Sequence, residues 1–248
     1  MLEDAFRYPF RGDPIRRTAV GSLLVLGSVF VLPALVLAGY GVRVLETTLE
    51  GEEGPPAFDS WSELAATGVG AVAISLVYLL GPLVVGGVLG VILGGVGYYG
   101  LQTVAPVLAG SEALVWGTSL VVALLTGVVL LAGTAVTFAI YYAFPAGMLN
   151  YARTGRFRAA FDRNALWPVV TSGEYLLAMA VLQLLPLAAP VLVVAAAITV
   201  VGVVFVPAIP FVAAVVCLRL LAVAAVPAST GDRSVEPAPI GGRASRPG

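Results

Sequence analysis

The side chains that most often carry out catalysis are scarce in this 248-residue chain. Histidine is absent, and the single cysteine, Cys217, lies in an apolar stretch. Without an imidazole there is no side chain that normally titrates near neutral pH, and one cysteine cannot form an internal disulfide or a CxxC site. The sequence also has no nucleophile elbow, phosphate-binding glycine loop or zinc-binding HExxH motif. We therefore expect a protein that is not an enzyme and that holds no metal and no cofactor.

Arg219 is the first side chain whose chemistry stands out, because it is the single charge in residues 175–231. An ionisable group inside an apolar helix is a candidate for function. Three interpretations remain open. The guanidinium extends to lipid phosphates, it pairs with Glu174 at the start of the preceding span, or it binds a substrate or an ion.

A second candidate is the basic segment 153–163, in which arginines alternate with aromatic residues. Phe157 and Phe161 are four residues apart and are expected to share one face of a short interfacial helix. The arginines beside them would then contact anionic headgroups. The segment predicts a surface that binds anionic lipid or a protein partner, and its candidate residues are Arg153, Arg156, Phe157, Arg158, Phe161 and Arg163.

A third candidate is a strip of glycines at fourfold spacing, formed by Gly86, Gly90 and Gly94. Small residues at this spacing allow another helix backbone to approach closely. We expect the strip to pack against another helix of the same chain. The alternatives are contact with a second copy, a hinge and the lining of a pore.

Composition indicates which elements must position these residues. The chain is 59% hydrophobic and 11% charged, with a mean hydropathy of +1.00. A soluble domain has about 25% charged residues. Residues 64–152 carry one charge, Glu112, and one soluble core of this size cannot hide so much apolar chain. The sequence predicts an all-α polytopic helical membrane protein, and its net charge of −1 argues against nucleic acid as a partner.

Because a membrane-spanning helix needs about 20 residues, the apolar stretches predict six spans, with five or seven as alternatives. Gly81-Pro82 is expected to separate the second span from the third, and Ser111 to cap the fourth. Residues 1–17 form an N-terminal segment, and residues 227–248, rich in Pro, Gly, Ala and Ser, are expected to be a disordered tail. The predicted spans are 18–41, 62–81, 83–107, 113–143, 172–197 and 206–226.

The distribution of arginine predicts the orientation of these spans. Six spans place the N-terminal segment, the segment 153–163 and the tail on one side, with Arg43 and the acidic segment 46–63 on the other. Since arginine is enriched in cytoplasmic segments, we expect both termini to be cytoplasmic in the plasma membrane.

Two similar helix starts indicate a possible internal repeat. Ser60–Glu63 and Thr171–Glu174 both have the pattern of a capping box. Each is preceded by a span that contains Pro, Tyr and Arg in that order. This pattern favours two inverted three-helix halves, 1–107 and 113–226, as in many transporters. The alternative is that caps and interfacial aromatics are common to membrane proteins in general.

Six segments also occur in a distinctive order, at residues 7–13, 39–44, 55–61, 150–153, 155–162 and 171–176. Together they resemble an uncharacterised family of prokaryotic multi-pass membrane proteins that is common in salt-loving archaea and is classed as a domain of unknown function. The resemblance covers about residues 5–226. It implies a multi-pass membrane protein, and it implies no particular activity.

Two functional hypotheses follow. The first is a non-enzymatic membrane component or scaffold that binds anionic lipid at the cytoplasmic face, a protein partner or a second copy. The second is a small permease or flippase-like carrier built from two inverted halves, with Arg219 and glycine backbone lining a cavity near the middle of the membrane.

Overall fold

The computed structural model describes residues 2–108, 110–198, 202 and 205–230. Within these residues the fold is all-α, which confirms the predicted fold class, and no strand is present. Two short 3-10 helices, Tyr8–Phe10 and Phe157–Phe161, accompany the α-helices. We number the α-helices α1 (Leu2–Arg7), α2 (Pro14–Gly27), α3 (Val31–Leu49), α4 (Trp61–Leu108), α5 (Glu112–Thr154), α6 (Arg163–Val170), α7 (Gly173–Ala197) and α8 (Ala208–Thr230).

The stretch 18–41, predicted as one span, instead belongs to an antiparallel pair of helices, α2 and α3. The amide of Phe30 donates to the carbonyl of Gly27 at 2.8 Å and closes the turn between them. Pro33 lies in the first turn of α3, where a missing N–H costs little, because that group has no partner within the helix. Gly27 ends α2 and Ser28 begins the turn, and both have little side-chain bulk.

This pair changes where the acidic segment 46–63 lies. Arg11, just before α2, donates to the backbone carbonyl of Glu53, just after α3, at 2.8 Å. The N-terminal segment and the acidic segment therefore meet at the same end of the molecule, which we call the polar end. The arrangement differs from the six-span topology, which separates these segments by the thickness of a membrane.

Helix α4 runs through the predicted break at Gly81-Pro82 without interruption and is 48 residues long. A proline inside a helix removes one backbone hydrogen bond, whereas a break in apolar surroundings would leave several polar groups without partners. The stretches 62–81 and 83–107 are therefore two parts of one helix. Helix α5 follows after a short turn, and the Ser111 hydroxyl accepts from the amide of Leu114 at 3.5 Å, which confirms Ser111 as the N-cap.

The last two predicted spans, 172–197 and 206–226, lie close to the bounds of α7 and α8. The N-cap of α7 is Ser172, one residue later than the predicted Thr171. At the other expected capping box, Glu63 contacts Arg43. Helix α8 extends to Thr230 and includes the first residues of the predicted tail. Residues 231–248 and most of the turn between α7 and α8 lie outside the described residues.

Among the residues that the structure describes, four helices are long and apolar enough to cross a membrane. They are α3, α4, α5 and α8, with spans at Val31–Leu49, Trp61–Val107, Glu112–Thr154 and Ala208–Ala225. A fifth is added if α6 and the first part of α7, which are bent by 75° at their junction, are taken as one span.

The core lies in a bundle formed by α3, α8, the first part of α4 and the last part of α5. Two glycines allow α3 and α4 to cross at backbone contact distance. A methyl group on Gly39 would overlap the carbonyl of Leu64, and one on Gly68 would overlap the carbonyl of Leu35. Beyond this bundle, α4 and α5 continue together as a helical pair, residues 83–139, which we call the hairpin.

The hairpin buries none of its side chains against the rest of the described chain. The glycine strip lies on it, and a Cβ added to Gly86, Gly90 or Gly94 would find no atom within 4 Å. The strip therefore does not pack against another helix among the described residues, which corrects the first interpretation given to it. The interpretations that remain are a contact with a second copy, a hinge and a pore lining.

Candidate functional site

Residues 153–163, which we call the basic arm, are held against the bundle by their backbone. The side-chain amide of Asn150 donates to the carbonyl of Ala159 at 3.3 Å, and the Tyr78 hydroxyl donates to the carbonyl of Ala160 at 2.7 Å. Ala160 itself is fully buried. These contacts use the backbone of the arm and leave the side chains of Arg156, Arg158 and Arg163 exposed.

Aromatic rings fix the arm as well. The rings of Phe157 and Phe161 lie 5.4 Å apart, in agreement with the expectation that they share a face. Phe161 also stacks on Tyr78 of α4, with ring centroids 5.1 Å apart. The segment that carries both phenylalanines is a 3-10 helix of five residues, a type of helix that occurs mainly in such short pieces.

The four predicted cations of the arm divide into two groups. Arg153 is partly buried and donates to the carbonyl of Ala225 in α8 at 3.0 Å, so it joins the arm to the bundle. Arg156, Arg158 and Arg163 are exposed, and Arg163 lies 6.0 Å from the ring of Trp167. The arm therefore presents three cations beside exposed aromatic rings, a combination suited to the boundary between water and apolar surroundings.

Arg219, unlike the exposed arginines of the arm, is buried. Its side chain is in the core, with the residue 8% exposed, and its guanidinium lies 4.5 Å from the ring of Tyr8. It donates to the backbone carbonyl of Glu52 at 3.0 Å. Glu174, the predicted partner, is exposed at the start of α7, and no contact between the two is present in the described part of the chain. The buried position also rules out the interpretation that Arg219 extends to lipid phosphates in this arrangement.

A further charged cluster lies at the polar end. Arg43 of α3 donates to Asp59 at 2.7 Å and to Glu63 at 2.9 Å, so that one guanidinium joins two carboxylates. Sequence reasoning placed these residues near one another without predicting the ion pairs. The available signal is that Arg43 is the one arginine in a stretch rich in carboxylates, among them Asp59 just before α4 and Glu63 in its first turn.

Two residues that position the arm, Tyr78 and Asn150, are absent from the sequence-based candidates. Each is a polar side chain in an otherwise apolar stretch, and that is the signal that could have identified them. Buried polar groups need hydrogen-bond partners, and here both partners are carbonyls of the arm.

An apolar cavity of about 240 Å³ lies between α2, α3 and α8 and is lined mainly by aliphatic and aromatic side chains. No charged residue lines it. Among the residues the structure describes, no group of three or more His, Cys, Asp or Glu side chains is arranged to hold a metal ion. The expectation of no metal and no cofactor stays a prediction.

The helices and the docked arm define the class as an all-α protein with several helices of membrane-spanning length. The chain belongs to the family described as a protein of unknown function (DUF4013), whose model matches residues 22–200. This confirms the family resemblance, while the association with salt-loving archaea stays a prediction. No curated protein and no solved structure matches the chain. The matched range includes the hairpin and the basic arm, whereas Tyr8 and Arg219 lie outside it.

Proposed function

We propose that the protein is an integral membrane protein and a non-enzymatic membrane component, whose basic arm binds anionic lipid headgroups. The apolar surface of the hairpin supports the first part of this proposal. Its residues are exposed on every face, although they carry almost no charge, and large apolar patches are rarely left in contact with water. The hydrocarbon of a bilayer removes the free-energy cost of exposing this apolar surface to water.

One observation carries the second part. The arm is fixed by its backbone and by Phe161, while Arg156, Arg158 and Arg163 remain exposed. A segment that is already ordered loses little further conformational entropy when it binds, so little of the electrostatic binding free energy of its charges is offset. Basic residues near an anionic membrane surface contribute about 1 kcal/mol each to binding.

Extraction of native membranes with alkaline carbonate tests the membrane assignment. We expect the protein to remain in the membrane pellet, because the hairpin has no polar face with which to leave the lipid. Release into the supernatant would contradict the proposal.

Native mass spectrometry of the purified full-length protein tests the arm. The double variant Arg156→Gln/Arg158→Gln should lose about 2 kcal/mol of binding to phosphatidylglycerol, roughly a thirtyfold fall in affinity. Binding to phosphatidylcholine should be weak and unchanged. Retention of phosphatidylglycerol binding would disprove the role of the arm.

A matched control is the double variant Arg7→Gln/Arg16→Gln, which removes two exposed arginines outside the arm. Arg7 already pairs with Glu3 at 3.0 Å, so its charge is partly compensated. We expect this control to bind phosphatidylglycerol as the native protein does. An equal loss in both double variants would show that net charge, and not the arm, determines binding.

The carrier hypothesis receives less support. It requires Arg219 and the glycine strip to line one cavity near the middle of a membrane. Arg219 lies against Tyr8 and Glu52, whereas Gly86, Gly90 and Gly94 lie on the hairpin. These residues do not converge, and the cavity beside α8 has an uncharged lining.

A further inference from the structure

Helix α4 is too long for a single bilayer to cover from end to end. Its 48 residues extend for about 72 Å at 1.5 Å per residue, whereas the hydrocarbon layer is about 30 Å thick. Since α5, with 43 residues, is also longer than one bilayer, the bundle and the hairpin cannot both lie in the hydrocarbon along their whole length. The question is which part of the pair the bilayer surrounds.

Aromatic residues mark one level on the helical pair, at the height of the basic arm. The Tyr141 hydroxyl of α5 donates to the carbonyl of Leu79 in α4 at 3.2 Å, which places Tyr78 and Tyr141 side by side. Tyr142 donates to the carbonyl of Val170, at the end of α6, at 3.0 Å. Tyrosine and tryptophan are enriched where hydrocarbon meets headgroups, and here they coincide with the exposed arginines.

Further aromatic residues lie on the part of the hairpin toward its tip, with Trp116 closer to the tip than Tyr98. Tyr98, Tyr99 and Trp116 are 60%, 70% and 70% exposed, and the charge of Glu112 lies just beyond them. Tyr98 follows Tyr78 by 20 residues, which corresponds to about 30 Å along the helix. This distance equals the thickness of the hydrocarbon layer. Between these residues and the level of the basic arm, both helices are uncharged.

The bundle on the other side of Tyr78 has a different character. It buries its own apolar residues in three clusters, none of which includes a residue of the hairpin from 83 to 139. It also contains the ion pairs of Arg43 and the buried Arg219. Among the described residues, the hairpin has neither a buried apolar cluster nor an ion pair.

The turn between α2 and α3 agrees with this division. Leu35 lies against Gly68, and Gly39 lies against Leu64. This antiparallel register places the turn at 28–30 beside the part of α4 that is a few residues before Tyr78, on the side of the polar end. Val29 and Phe30 are exposed there, at 88% and 71%. Exposed apolar residues at this height would rest on the hydrocarbon boundary.

We infer that the bilayer surrounds the hairpin, with one interface at Tyr78 and the basic arm and the other at Tyr98 and Trp116. The first part of α4, residues 61–77, then lies outside the hydrocarbon together with the bundle around it. This inference rests on the proposed membrane function and adds where the membrane lies. It differs from the six-span topology, in which 62–81 crosses the bilayer.

Cysteine accessibility in liposomes tests the position of the membrane. Single cysteines are introduced at Val69, Leu89 and Gly110 of the full chain with Cys217→Ala, and a charged maleimide is supplied on both sides of the bilayer. Val69 and Leu89 are exposed to similar extents, 55% and 51%, so the protein itself shields them equally. We expect V69C and G110C to react about tenfold faster or more than L89C, because hydrocarbon excludes a charged reagent.

Each outcome has a distinct meaning. An unreactive V69C beside an unreactive L89C overturns the inference, since both would then lie in hydrocarbon, while the proposed membrane function stands. A reactive L89C contradicts the membrane function itself. Full reaction of every variant in SDS shows that the thiols are present. Ala66→Cys, one turn closer to the polar end, provides a second exposed position, and it must agree with V69C.

Discussion

At the scale of single residues, glycines at similar helical spacing have opposite surroundings. Gly39 lies in contact with the backbone of α4, whereas Gly90 has no neighbouring atom within 4 Å. Gly39→Ala should lower the free energy of unfolding by about 1–3 kcal/mol, because overpacking against a rigid backbone forces the helices apart. Thermal unfolding in detergent measures the effect.

Gly90→Ala is the matched control for this variant. It changes the same residue type in an exposed helix, where alanine favours the helix by up to about 1 kcal/mol. We expect its melting temperature to be equal to or above that of the native protein. If the two variants melted at the same temperature, the close crossing of α3 and α4 would be refuted.

The ion pairs of Arg43 provide a second prediction at this scale. The Arg43 side chain is 19% exposed, while those of Asp59 and Glu63 are 72% and 66% exposed. Exposed pairs contribute little, so a double-mutant cycle of Arg43→Gln and Asp59→Asn should give a coupling energy of about 0.5–1 kcal/mol. The coupling energy should decrease in 1 M salt, because the ions screen the charges over a Debye length of about 3 Å. A coupling energy that is insensitive to salt would indicate that the pair is not electrostatic.

At the scale of elements, the basic arm depends on the helix beneath it. Tyr78→Phe removes the hydrogen bond to Ala160 and keeps the stacking with Phe161. Loss of about 1 kcal/mol would raise the open fraction of the arm roughly fivefold. Trypsin should then cleave after Arg156 and Arg158 several times faster, which peptide mass spectrometry can follow.

Tyr98→Phe is the control for this experiment, since Tyr98 is exposed on the hairpin and far from the arm along α4. Its rate of cleavage within the arm should equal that of the native protein. A Tyr78→Phe variant that was no more sensitive than this control would show that the hydrogen bond does not hold the arm.

Elements also differ in how far the sequence alone predicted them. Ser111 and Glu112 mark the start of α5 by local chemistry, and the spacing of Phe157 and Phe161 indicated a shared face before the structure. The turn between α2 and α3 depends on packing against α8, where Phe211 contacts Gly21. The residue-level partners of Arg219 could not be predicted either, because Tyr8 and Glu52 are brought to it only by the folded bundle.

At the scale of the whole molecule, the bundle and the hairpin should respond separately when the hairpin is shortened. Deleting residues 89–95 and 125–131 removes two turns from each helix, about 10 Å, at matching heights on the pair. The bundle should keep its melting temperature in detergent, since its clusters contain none of these residues. The variant should reconstitute best into thinner bilayers, which a series of lipids of decreasing chain length can measure.

A fall in the melting temperature in detergent would contradict this independence of bundle and hairpin. An unchanged preference for bilayer thickness would instead argue against the proposed position of the membrane.

The contact of Arg219 with the N-terminal segment also has a consequence in time. Tyr8 is made before its cationic neighbour, Arg219, which follows 211 residues later in the chain. At about 5–20 residues per second, synthesis of the intervening chain takes roughly 10–40 s. Throughout that interval the ring of Tyr8 has no covering guanidinium, and it is available to whatever factor escorts the nascent chain. Helix α8 is thus the element whose arrival ends that interval and completes the bundle.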